Sequence, residues 1–343
     1  MNWKKYLAVF LALCMLLSIA GCTDRKETPE TSGETTIPQQ TTQPTETTVP
    51  TEATQLQTPA QSKPLLYKVT DSKGNVAWLF GSIHVGAEYF YPLPSYVTAA
   101  YENADALAVE FDIVAFEEDL EAVQEMSGMM FYQDGTTIKD HIPEAVYQEA
   151  VKVLDENYMY IQLVDTMRPS AWCDLIDGIV YENIGVNYDL GIDRHLLDRA
   201  HEEGKKILDI ESAAFQLAML NGYSDPLQSV LLEESIAGYY DQEAVKASLE
   251  EMMLLWANGD ERAFCDYLNE APEFENQEES TLYEEYNKAM RTDRNRNMAD
   301  YVEDSLASGQ EVFVCVGAAH VVGAGAMVEL LRERGYTVIL VQE

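Results

Sequence analysis

Two short motifs of the same form stand far apart in the chain: Gly81-Ser82-Ile83-His84 and Gly317-Ala318-Ala319-His320. Each follows a run of β-forming residues, so each sets a glycine, and three residues later a histidine, at the end of a strand. Glycine there lets the backbone turn or approach a ligand closely, and imidazole suits metal ligation and proton transfer near neutral pH. Either motif alone is weak, because a strand-end histidine is often structural or exposed. The chain has only five histidines, and two of them in matched contexts point to a shared site. Glu110 is the third candidate. Alternation through Ala106-Leu107-Ala108-Val109-Glu110-Phe111-Asp112 sets Glu110 and Asp112 on the face opposite Val109 and Phe111. Such a carboxylate is either an exposed residue of a half-buried strand or a metal ligand or general base beside the histidines. Two neutral imidazoles and one carboxylate can hold one divalent ion and leave positions for water and a substrate carbonyl.

Other residues fare less well. His195 and His201 lie six apart on a predicted helix and point in different directions, so they cannot pinch one metal and read as surface residues. His141, just before Pro143 at a helix start, reads as solvated. HExxH, GxSxG and Walker A sequences are absent, and Gly323-Ala324-Gly325 lacks the third glycine of a dinucleotide fingerprint. The five cysteines form no CxxC pair, which disfavours a cysteine-ligated metal. The stripe from Met252 to Trp256 reads as helix core, and Cys315 as a small buried hydrophobe.

The elements that must position these residues begin with a hairpin, Leu65–Thr70 and Val76–Phe80 around a turn at Asp71–Asn75. A helix near Pro94–Asn103 and a strand over Ala106–Asp112 follow. The middle, Phe116 to Asn297, is helical by apolar spacing except at Lys206–Ile210. The end reads strand, helix, strand: Glu311–Val316, Gly323–Arg334 and Tyr336–Val341. Strands at both ends of a helical middle predict an α/β (α+β) fold with a single mixed sheet, flanking helices and a large helical insertion.

Composition bounds the partners. With 343 residues, 47% of them hydrophobic, the chain has ample material for a core. Its 22 Lys plus Arg against 59 Asp plus Glu give a net charge of -37, which repels a phosphate backbone and excludes nucleic-acid binding. At the N-terminus, Lys4 and Lys5 precede an apolar run from Tyr6 to Ile19, and Ser18-Ile19-Ala20-Gly21-Cys22 has the form of a lipobox. Residues 1–21 therefore read as a lipoprotein signal peptide, with Cys22 as the lipidated mature N-terminus. Residues 22–63 read as a disordered Thr/Pro-rich stalk and residues 64–343 as the folded domain. A protein of this kind is held by its acyl chain on the extracytoplasmic face of the cell membrane, with the lipid bilayer as its partner.

The segments Leu79-Phe80-Gly81-Ser82-Ile83-His84-Val85-Gly86 and Val314-Cys315-Val316-Gly317-Ala318-Ala319-His320-Val321-Val322-Gly323 resemble the TraB/PrgY/GumN family, which includes the Tiki proteases. Val109-Glu110, Gly191-Ile192-Asp193, Lys205 with Ile210-Glu211-Ser212 and Gln216, and Arg294-Asn295 match in the family's order. Only Ile210-Glu211-Ser212 departs, mildly, from the family's Leu-Glu-Thr. The resemblance implies a fold related to erythromycin esterases and ChaN-like proteins and a divalent-metal-dependent hydrolase acting on a peptide or protein substrate. Carried over by position, His84, Glu110 and His320 form the site core and hold the ion, manganese, cobalt or zinc, while Arg294 and Asn295 add polar contacts. Arg294 then stabilises oxyanion charge or holds a substrate carboxylate, or else is a salt bridge. Asn295 contacts the site or bridges backbone groups. Glu211 orients a ligand or is a structural carboxylate paired with Lys205 or an arginine. A metal-independent esterase-like enzyme and a peptide-sequestering lipoprotein are the alternatives.

Overall fold

Leu66–Thr70 (β1) and Val76–Ser82 (β2) form the antiparallel hairpin that the alternation predicts. Its turn is closed by Asp71, whose Oδ1 accepts from the amides of Lys73 and Asn75 at 2.8 and 2.9 Å, in the manner expected of aspartate in turns. The computed structural model describes residues 56–274 and 276–342. The predicted signal peptide, Cys22 and the stalk up to residue 55 lie outside the described residues. The end of the predicted stalk is already part of the fold. Ser62 is buried and donates to the Phe90 carbonyl at 2.7 Å, and the Lys63 amide donates to the Ala257 carbonyl at 2.7 Å. Polar composition hid this boundary, because it is made by hydrogen bonds rather than by apolar side chains.

The helices that bear on the site are labelled in chain order. Ser95–Asn103 (α1) leads to strand Ala106–Val109 (β3). Pro169–Ile184 (α2) and Ile192–Glu203 (α3) precede Lys206–Asp209 (β4), and Ala213–Asn221 (α4), Asp225–Tyr240 (α5), Gln242–Asn258 (α6) and Glu261–Asn269 (α7) follow it. Arg294–Ser308 (α8) leads into Val312–Gly317 (β5), Ala318–Val321 (α9), Met327–Glu333 (α10) and Thr337–Val341 (β6). The six strands make one mixed sheet in the order β4-β3-β5-β2-β1-β6. Strands β4, β3, β5 and β2 run parallel, and β1 is antiparallel to both β2 and β6. The fold is α/β, with the predicted helical middle interrupted once, at β4. Among the described residues, no helix is long and apolar enough to cross a membrane.

Burial along each strand follows its place in the sheet. Every residue of the central strand β5, Val312-Phe313-Val314-Cys315-Val316-Gly317, is buried, as a parallel strand covered on both faces requires. The edge strand β4 exposes Lys206 and Asp209, charges that discourage pairing with another chain. Two predicted boundaries shift. β3 ends at Val109, so Glu110 lies past the strand rather than on one of its faces, and Asp112 caps the helix Ile113–Glu118 by accepting from the Ala115 amide. The last helix begins at Met327 rather than Gly323 because Gly323 and Gly325 take positive φ angles of 108° and 68°.

Candidate functional site

The four parallel strands end on the same side of the sheet, where α/β proteins hold their ligands. Register places Gly81 opposite Val316 and Ser82 opposite Gly317, so the two GxxH motifs emerge side by side. Gly81 makes this contact possible. A Cβ at that position would sit 2.8 Å from the Ala318 Cα, inside any tolerable contact.

His84 is positioned from two directions. Its Nδ1 lies 2.8 Å from Asp193 Oδ2, and Asp193 stands in the first turn of α3. That turn is fastened to the histidine loop: the Ile192 amide donates to the Ile83 carbonyl at 2.9 Å. Gly191 fits against the His84 carbonyl, which a Cβ would approach to 2.5 Å. The Nε2 atom of His84 is buried and has no hydrogen-bond partner, although the side chain as a whole is 23% exposed. Burial disfavours charge on this ring, but the Asp193 carboxylate outweighs it and holds the imidazole up at about 9.

His320, on α9, is buried, and its Nδ1 lies 2.7 Å from Asn295 Oδ1. Asn295 Nδ2 donates to the Gly325 carbonyl at 2.9 Å, which fixes the amide orientation and makes His320 Nδ1 the donor. The lone pair of His320 is therefore on Nε2. Burial and then the Arg294 charge push this ring down to about 3.

Glu110 and Arg294 form the charged floor. Glu110 Oε2 accepts from Arg294 Nη2 at 2.6 Å and Gln216 Nε2 at 2.8 Å, and Oε1 accepts from the Gly317 amide at 2.8 Å. Burial alone would raise this carboxyl, but Arg294, the nearby histidines and the Gly317 N–H hold it well below the usual carboxylate range. Arg294 is fully buried and binds Glu211 as a fork, Nε to Oε1 at 2.8 Å and Nη2 to Oε2 at 2.7 Å. Glu211 thus pairs with the arginine, while Lys205 donates to the Ala104 carbonyl at 2.5 Å instead. Arg294 Nη1 has no partner. The arginine opens α8 directly after a π-helical turn, Lys288–Asp293, a distortion that recurs at functional sites.

A cavity of about 30 Å³, lined by Ser82, His84, Met252, Leu268 and His320 among others, separates the two motifs, room enough for a water. The two imidazoles suit a divalent ion, for which His84, held at about 9, would give up its Nε2 proton: each is tied through Nδ1 to a side-chain acceptor, the arrangement that orients metal-binding histidines. Glu110 does not suit it as found, because both its oxygens are engaged by Arg294, Gln216 and Gly317. Among the described residues, no group of three or more His, Cys, Asp or Glu side chains is placed to hold an ion.

His84, Glu110, His320, Arg294 and Asn295 are all brought to this one end of the sheet. Sequence reasoning assigned Asp193 no role beyond its place in the matching segment Gly191-Ile192-Asp193, and that match was the available signal. His195 is exposed and lies tilted against the Tyr91 ring, and exposed His201 bonds Asp112 at 2.8 Å. His141 is half-buried rather than solvated, stacked on Tyr132 and bonded to Thr136 at 3.0 Å. Met252 and Trp256 are buried, with Trp256 Nε1 donating to the Gly81 carbonyl at 2.8 Å.

The "Uncharacterized protein YbaP" of Escherichia coli (strain K12) is 25% identical over 254 residues, 74% of this chain and 87% of that protein, and the protein of the same name from Shigella flexneri is equally similar. No solved structure matches the chain. The match to the TraB/PrgY/gumN family runs over residues 65–339, from β1 into β6 and through every residue of the site, and the chain belongs to that family.

Proposed function

We propose that this protein is a hydrolase, membrane-anchored and extracytoplasmic, that cleaves peptides where His84, His320 and Arg294 converge. The observation that carries the reading is that two histidines from opposite ends of the domain line one cavity, each braced through Nδ1 and left with Nε2 for chemistry. Arg294 Nη1, the guanidinium nitrogen without a partner, is the donor available to a carbonyl oxygen that gains charge during attack. Asp193 and Asn295 orient the rings. Glu110 and Glu211 hold the arginine still.

A divalent ion, manganese, cobalt or zinc, would be held by the Nε2 atoms of His84 and His320 and would supply Lewis acidity and an activated water. The engagement of both Glu110 oxygens by other groups favours a second reading, in which a histidine acts as general base without metal. One experiment separates the two. The full chain is incubated with a peptide library, with and without chelator, and then with each metal restored. Cleavage lost with chelator, recovered with metal and abolished in His84→Ala and His320→Ala supports the metal-dependent enzyme. Turnover indifferent to chelator but lost in both variants supports the metal-free one. Peptide retained but never cleaved identifies a sequestering lipoprotein and overturns the hydrolase.

The lipobox sequence supports the location. Cys22→Ala should move the protein from the membrane fraction to the soluble one, since it removes the acyl anchor. Retention of the variant on membranes after a high-salt wash would refute the anchor.

A further inference from the structure

Among the described residues, Arg291 is a cation without a counter-ion, in a chain of net charge -37. Its Nη1 donates to the Leu268 carbonyl at 3.2 Å. Its Nε and Nη2, the two N–H groups along one edge of the guanidinium, are buried and have no hydrogen-bond partner, and among the described residues no carboxylate forms an ion pair with it. Burying charged donors without an acceptor is costly, and the many acidic side chains of this protein offered an easy remedy. The location is specific. Arg291 lies in the π-helical turn, three residues before Arg294; Leu268, which it grips, lines the cavity of His84 and His320; and its charge bears on His320. At Gly323 a Cβ would come within 2.9 Å of Asn269 Oδ1 and 3.2 Å of Arg291 Nη2, so any side chain there would crowd this edge.

We propose that Arg291 is the substrate anchor of the site: its Nε and Nη2 edge takes both oxygens of a peptide's terminal carboxylate, and the site thereby selects peptides by their free C-terminal end. Two parallel N–H donors match a carboxylate in the bidentate geometry that makes such pairs strong and directional. Arg294 cannot serve this end, because its own matching edge is spent on Glu211. The inference rests on the peptide-hydrolase reading for the identity of the ligand.

The test titrates the full chain with N-acetyl-dialanine and with its C-terminal amide, following the Nε–H nuclear magnetic resonance signal of Arg291, assigned by its loss in Arg291→Lys. The acid should shift that signal and saturate, and the amide should bind roughly tenfold or more weakly. Arg291→Gln should weaken acid binding by a similar factor, read by calorimetry, while leaving the amide unaffected. Equal binding of acid and amide by the unaltered chain, or binding of neither, overturns the proposal whatever the variants do. Acid-selective binding with no peptide cleaved would sink the hydrolase reading and leave this one standing. Cleavage indifferent to C-terminal amidation would do the reverse.

Discussion

Glu110 and Asp177 are both sealed into the protein, at 7% and 4% exposure, and the two regions that hold them treat a carboxylate in opposite ways. At the sheet end, Glu110 meets a guanidinium, an amide side chain and a backbone N–H, and it stays ionised. In the helical insertion, Asp177 on α2 receives the Ser235 hydroxyl of α5 at 3.1 Å, and burial pushes its carboxyl up to about 8. Asp174, one turn earlier, is pushed up as well, by burial and then by Asp177. Burial by itself makes a carboxyl neutral, and one hydroxyl does not reverse that. A full positive charge and several donors do. The ionised carboxylates are therefore found where they pair with Arg294, and Asp177 serves as a polar member of a helix interface.

The contrast is broken most forcefully at Arg294. Arg294→Ala strands Glu110 and Glu211 as buried anions and should cost about 3–5 kcal/mol of stability in denaturant unfolding, with Arg294→Lys recovering part. A loss below about 1 kcal/mol would mean that the carboxylates were never held as ions. Asp177→Asn should act in the other direction. Between the ordinary aspartate value and about 8 the unfolded chain releases this proton while the folded chain keeps it, so unfolding free energy falls as pH rises through that window and levels off above it. The asparagine variant should lose this slope and gain about 2–3 kcal/mol at pH 8. Parallel pH profiles for the two proteins would show that Asp177 is ionised after all. The smallest effect is expected from Glu211→Gln, about 1 kcal/mol, because Glu110 still neutralises Arg294. If it rivals Arg294→Ala, the two carboxylates do not share the charge as drawn.

The hairpin, the strand of the second motif and the break in the helical middle were legible because each is written locally, as alternation, a turn aspartate, or a β-branched run. The histidines were legible through the matched glycines. What stayed hidden depends on partners distant in the sequence. Nothing near Glu110 announces that Arg294, Gln216 and Gly317 close around it, so its strand looked longer and its carboxylate looked free for a metal. The Asp193 brace on His84 and the unpaired edge of Arg291 share this character. The π-helical turn that aims Arg291 and Arg294 is a change of hydrogen-bond register that helical apolar spacing does not reveal.

The parallel seam between β2 and β5 has a consequence for the order of events in synthesis. Glu110 is made early, while the Gly317 amide that completes its cradle lies 207 residues further on and Arg294 only slightly nearer. A chain emerging N-terminus first thus carries the anion long before it carries the groups that make burying it tolerable. Contacts this remote close late, so the cavity between the histidines belongs to the finished polypeptide alone, and no shorter fragment ending before α8 contains the second histidine motif that closes it.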